Sequence, residues 1–139
     1  MFQAHDTLIV QTHGRGLVLC THEVTAFLER VRATDGLLVV HIRHTSASLL
    51  IQENADPDVC GDLERFFSRL VPDGDPLFRH DAEGPDDMPA HVRAALTQTQ
   101  LVLPVSKGRP VLGTWQGLYV YEHRHLGHRR SLWLHYLGD

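Results

Sequence analysis

Two histidines and four carboxylates fall within twelve residues, His80-Asp81-Ala82-Glu83-Gly84-Pro85-Asp86-Asp87-Met88-Pro89-Ala90-His91. Neutral imidazoles and carboxylates together suit zinc and similar metals. The spacing is not His-Glu-x-x-His, which argues against a zincin helix. The same stretch reads equally as a solvated acidic loop. A second group is His44-Thr45-Ser46-Ala47-Ser48. His44 continues the alternating row Leu38, Val40, Ile42, so its ring needs a polar partner. The hydroxyls behind it form either an anion-binding loop or an ordinary polar turn. Glu53 closes the row Leu49, Ile51, and a carboxylate there requires a cation, a metal or a proton. Glu122, Arg124, Arg129 and Arg130 lie beside His123, His125 and His128. Arginine forks match phosphate, although a charged tip of this kind also serves as a solvated surface or a subunit contact.

The elements that must position these groups follow from periodicity. Residues 2–10 and 17–20 read as strands, with a turn at Gly14-Arg15-Gly16. Thr21 is an expected helix N-cap, followed by Val24, Phe27, Leu28 and Val31 at helical spacing. Strands are expected at 37–43 and 47–53. Asp56-Pro57 marks a helix start, with Asp as cap and Pro in the first turn. Leu63, Phe66, Phe67 and Leu70 form that helix's apolar face. A third helix is expected from Asp87-Met88-Pro89 to about residue 97. A strand over 101–105 and a turn at Ser106–Arg109 precede two long strands, 110–122 and 131–137, read as a hairpin. Gly113 and Gly117 flank Thr114-Trp115-Gln116, marking a bulge or a close approach of backbone or ligand. Strands clustered at both ends of the chain favour an α+β fold with a largely antiparallel sheet.

The 139 residues make one domain, with 42% hydrophobic and 22% charged residues, which excludes a disordered chain. A formal net charge of −4 and the lack of a basic stripe argue against a nucleic-acid partner. No apolar run approaches the ~20 residues of a membrane span, and no signal peptide is visible, so the expected location is cytoplasmic. The two cysteines, Cys20 and Cys60, form no Cys-x-x-Cys motif and are expected to be reduced. Histidine, at 11 residues, outnumbers Phe, Tyr and Trp combined, and its distribution is not that of a tag.

Taken in order, His44-Thr45-Ser46-Ala47-Ser48, Glu53-Asn54, Asp56-Pro57, His80, Glu83-Gly84, Asp86 to His91, Leu112 to Gly117, Glu122-His123-Arg124 and Arg129-Arg130 resemble the YjbQ family. Its members are often labelled secondary thiamine-phosphate synthase. The resemblance runs nearly end to end. It implies a β-sandwich of mixed, mostly antiparallel strands flanked by helices, assembled as a homotrimer, with further pairing to a hexamer open. It also implies a polar pocket near a subunit boundary. The matching residues imply His44, His80 and His91 as ligands of a divalent metal. Glu53, Asn54, Gln116 and Glu122 would be catalytic. Thr45, Ser46, Thr114, Arg124 and Arg129 would hold a small phosphorylated metabolite. Histidines favour a zinc-like ion over magnesium, which prefers oxygen ligands.

The implied reaction joins hydroxymethylpyrimidine diphosphate to thiazole phosphate and releases pyrophosphate. The alternatives are a metal-dependent hydrolase or lyase, with Glu53 as general base, and a non-catalytic trimeric metal- or anion-binding protein. The chain departs from the family pattern at Gln98, where relatives usually have glycine, and at Gln100, where they usually have serine. Loss of a left-handed glycine would change how the third helix ends.

Overall fold

The computed structural model describes residues 1–139, in eight strands and three helices. Five strands form one antiparallel sheet in the order β1 (Phe2–Gln11), β8 (Arg129–Gly138), β3 (Gly36–Ile42), β5 (Gln100–Ser106) and β6 (Arg109–Pro110). Three form a second antiparallel sheet in the order β2 (Gly16–Leu19), β7 (Gln116–Glu122) and β4 (Ala47–Glu53). The inward side chains of both sheets share one core. Leu38, Val40, Ile42, Leu132, Leu134 and Tyr136 meet Ala47, Leu49, Leu118 and Val120 there, as in a β-sandwich. Helix α1 (Thr21–Arg30) adds Val24, Phe27 and Leu28 to the same core. No helix is long and apolar enough to cross a membrane.

Helices α2 (Pro57–Leu70) and α3 (Asp87–Leu96) pack on the far side of the smaller sheet, so β7 is buried on both faces. Its Leu118 and Val120 point into the core, while Tyr121 donates to Glu64 of α2 at 2.8 Å. Arg93 of α3 is wholly buried and forks onto Glu64 at 2.8 and 3.1 Å, locking the two helices together. The expected α2 cap is present, with Asp56 accepting from Asp58 N at 2.9 Å. The expected apolar face of α2 is only partly covered: Leu63 and Phe67 are half-buried, while Phe66 and Leu70 remain exposed.

Three expectations are corrected. Thr21 is the first residue of α1 rather than its cap, and its hydroxyl accepts from Leu118 N, tying the helix to β7. The strand expected over 110–122 is two strands in different sheets, because the chain turns between Leu112 and Gln116 and crosses the sandwich. Accordingly β7 and β8 do not form a hairpin, and residues 123–128 link one sheet to the other. The turn after β5 is real, with Lys107 and Gly108 both at positive φ, as a tight hairpin needs. Helix α3 ends without a left-handed residue: Thr97 has φ −107°, and Gln98 O accepts from Leu49 N, so Gln98 bridges to β4.

Candidate metal centre

Helix α3 and the loop before it build the centre. Asp87 and His91 lie one turn apart on α3 and therefore share a face. His80 comes from the loop between α2 and α3. Asp87 Oδ2 lies 2.6 Å from His80 Nε2 and 3.1 Å from His91 Nε2, and all three ligand atoms lie within 4.8 Å of one another. His91 Nδ1 is 2.8 Å from the carbonyl of Thr45, and a carbonyl can only accept, so Nδ1 carries the proton. A neutral His91 then turns its Nε2 lone pair toward an anionic oxygen. Only a shared cation, a proton or a metal ion, makes that contact favourable. A ligand imidazole whose other nitrogen donates to a carbonyl is the usual arrangement around a protein-bound metal.

The carboxylates beside the histidines are held anionic. Burial opposes the charge of Asp87, but hydrogen bonds from His80 and Glu83 and the charges of His91 and Arg124 outweigh it, holding its carboxyl below the usual range. The Asp87 hydrogen bond raises the pKa of exposed His80. Burial also opposes the charge of Asp86, yet Arg124 and the His125 N–H hold its carboxyl at about 2. His80 opens onto a cavity of about 340 Å³ walled by Asp75, Phe78, Asp81, Met88 and Pro89. On the other side, His91 borders a shallower depression with His44, Thr45 and Thr99.

The structure brings together some of the residues expected from sequence and separates others. His80 and His91 converge. His44 lies beside His91 but outside the ligand cluster, its Nε2 accepting from Ser131 N at 2.7 Å. Burial and the charge of Arg130 lower its pKa. Thr45 supplies the carbonyl that orients His91, and its side chain lines the depression. Ser46 faces inward and accepts from Arg130 through both its carbonyl and its hydroxyl. Glu122 is wholly buried. Its oxygens accept from Thr12 Oγ1 at 2.6 Å, Arg124 N at 3.1 Å and the Arg130 guanidinium. Those contacts make Glu122 and Arg130 a brace between the sheets. Arg124 is consumed by Asp86, Asp87 and the Glu83 carbonyl, whereas Arg129 is exposed at the start of β8.

Glu53, Asn54, Thr114 and Gln116 gather at the opposite end of β4. A strand rises ~3.3 Å per residue, which puts Glu53 roughly 20 Å beyond Ala47. Glu53 does not reach the histidines within one chain, so the general-base role considered for it is not met there. Its Oε2 is buried with no hydrogen-bond partner. Gln116 Oε1 accepts from Gly113 N at 2.7 Å and closes the turn that exposes Thr114 and Trp115. A Cβ on Gly117 would stand 2.7 Å from Leu19 Cδ1 and 3.0 Å from Asn54 Cβ, so this glycine serves packing. Asp87 is one of four carboxylates in the stretch read as a metal site or an acidic loop, but sequence reasoning does not single it out as a candidate ligand beside His80 and His91. Its i,i+4 spacing to His91 was the available signal.

The family model described as UPF0047 protein YjbQ-like matches residues 6–139. A UPF0047 protein of Synechocystis sp. is 46% identical over 137 residues, covering 99% of this chain and 93% of that protein. The UPF0047 protein YjbQ of Escherichia coli O157:H7 is 49% identical over 128 residues, covering 91% and 92%. Among solved structures, a conserved hypothetical protein of Thermus thermophilus superposes with a TM-score of 0.86 at 35% identity, covering 95% of this chain and 99% of that one. A protein of unknown function from Sulfolobus solfataricus superposes with a TM-score of 0.89 at 21% identity over 99% of both chains, a likeness of fold.

Proposed function

We propose, from the premise that this chain belongs to the UPF0047 YjbQ-like family, that it is a divalent-metal-dependent enzyme acting on a small phosphorylated metabolite, of the secondary thiamine-phosphate synthase type. The observation that carries the metal reading is the convergence of His80, Asp87 and His91 beside an open cavity. Two imidazoles and one carboxylate fit a zinc-like ion better than magnesium, and they leave coordination positions free for a ligand. Such an ion, when bound, neutralises charge that develops on a departing pyrophosphate.

In the proposed reaction the bond between the pyrimidine methylene carbon and the diphosphate oxygen breaks. A bond from the thiazole nitrogen to that carbon forms, and the electron pair leaves with pyrophosphate. His91 is held in one tautomer by Thr45, and Asp87 is held in orientation by Arg124. Phe78, Met88 and the prolines beside them exclude water from one wall of the cavity, while Asp75 and Asp81 can accept hydrogen bonds from a nitrogen heterocycle. With Arg124 and Arg130 internally paired, exposed Arg129 is the arginine of the predicted set left for phosphate.

The homotrimer belongs to the same proposal. The outward positions of the larger sheet include Gln3, His5, Thr7, Ile9, Leu37, Val39, His41, Val102, Trp133, His135 and Leu137. Of Asp, Glu, Lys and Arg, the outward strand positions of this sheet carry only Arg129 and Arg109, both at its margins, so its centre shows the depletion typical of buried interface cores. Incubation of purified protein with both substrates, followed by chromatography of the products, tests the activity. Product that needs zinc and disappears in Asp87→Asn supports the reading. No product, where a control synthase turns over, refutes the thiamine assignment. Hydrolysis of other phosphorylated metabolites that a chelator abolishes would instead establish the hydrolase alternative.

A further inference from the structure

The proposed centre depends on one oxygen, Asp87 Oδ2, standing between two imidazoles. We infer that Arg124 is the positioning residue that aims it, and not a phosphate ligand; the inference rests on the metal-centre reading. Its Nη1 donates to Asp87 Oδ1 at 2.7 Å, which fixes the carboxylate plane and leaves Oδ2 to His80 and His91. Its Nε donates to Asp86 Oδ2 at 3.0 Å. Its Nη2 donates to the Glu83 carbonyl at 2.9 Å and reaches Asp86 Oδ1 at 3.4 Å. One guanidinium therefore ties the loop that carries His80 to the first turn of the helix that carries His91. The backbone of Arg124 is itself fixed, because its N–H donates to buried Glu122 at 3.1 Å. The side chain is 19% exposed, and all three guanidinium nitrogens are engaged, so little remains for a substrate anion.

Charge and orientation make opposite predictions for this residue. A cation next to a metal site repels the metal, so charge alone predicts tighter binding when Arg124 is removed. Orientation predicts weaker binding, because Asp87 is then free to rotate and Oδ2 is no longer aimed at the two imidazoles. Groups that orient metal ligands typically govern 10–100-fold in affinity, so the clamp predicts a loss of about that size.

The test uses Co²⁺ as probe on the full chain, with affinity from chelator competition and geometry from the visible absorption of the bound ion. Wild type is expected to bind Co²⁺, and Arg124→Gln to bind it ~10–100-fold more weakly with an altered spectrum. Arg124→Lys reaches one carboxylate but cannot fork, and it is expected to lie between the two. It also serves as the readout should Arg124→Gln not fold. Affinity for inorganic phosphate is expected to stay unchanged in either variant. Equal or tighter Co²⁺ binding in both variants overturns the clamp, as does a loss of phosphate affinity with Co²⁺ binding intact. Failure of the metal reading is distinguishable: wild type and His91→Ala would then bind Co²⁺ equally.

Discussion

Replacing Arg130 by methionine strands a carboxylate in the middle of the sandwich. Glu122 is 0% exposed and Arg130 is 3% exposed, and the guanidinium holds both Glu122 oxygens as well as Ser46. After the substitution, Glu122 keeps hydrogen bonds from the Thr12 hydroxyl and the Arg124 N–H, with His128 Nδ1 3.5 Å from its Oε1. Removing one partner of a buried pair costs about 3–5 kcal/mol, and the two surviving donors place this case near 3 kcal/mol. For a domain of this size that corresponds to a fall in Tm of roughly 10 °C. The pH dependence has a definite sign. Burial opposes the charge of Glu122, but hydrogen bonds from Arg130, Thr12 and Arg124 N outweigh it and lower its pKa. The pair's contribution is therefore present above the ordinary carboxylate pKa and is lost as pH falls through the lowered folded value. In the variant, burial without the guanidinium raises the folded pKa, so protonation relieves the penalty in mild acid. Urea unfolding followed by tryptophan fluorescence at about pH 7.5 and about pH 5.5 measures both effects. A loss below about 1 kcal/mol, or one equal at the two pH values, would refute the account of Glu122 and Arg130 as a brace.

Other predictions follow from separate parts of the molecule. Burial, and then the charge of Arg93, press the pKa of His123 down to about 3. Stability should therefore fall as pH drops below about 6.5, at up to ~1.4 kcal/mol per unit from this group, and His123→Phe should flatten that limb of a urea midpoint–pH profile. An unchanged slope would show that His123 does not set it. Asp56→Ala should cost about 1 kcal/mol in urea unfolding through loss of the α2 cap, and a cost near zero would contradict the capping role. Val39→Glu, which faces outward between His135 and Val102, should convert the proposed trimer to monomer in light scattering. An unaltered mass would move the contact to another face.

The parts of the fold legible in the sequence were those set by local rules. Asp56-Pro57 begins α2, and alternation through Leu38, Val40 and Ile42 marks the buried face of β3. The split of 110–122 was only half legible: Gly113 and Gly117 marked an irregularity, but a bulge within one strand and a turn between two, closed here by Gln116 on Gly113 N, share that signal. The separation of β7 from β8 was hidden, since adjacency in sequence does not say which sheet a strand joins. At the site, His80 and His91 stood out by residue type. Asp87 was one of four carboxylates in the same stretch, and what singles it out is the loop that brings His80 back over α3. Arg124 and Glu122 looked like chemistry from their charges, and only their partners show that internal carboxylates and an internal arginine consume them.

The central claim is that His80, Asp87 and His91 hold a divalent metal. Elemental analysis after zinc loading and exhaustive dialysis tests it most directly. About one zinc per chain is expected in wild type, and almost none in a His80→Ala/His91→Ala double variant whose far-UV circular dichroism is unchanged. Equal zinc content in the two proteins, or none in wild type, would contradict it.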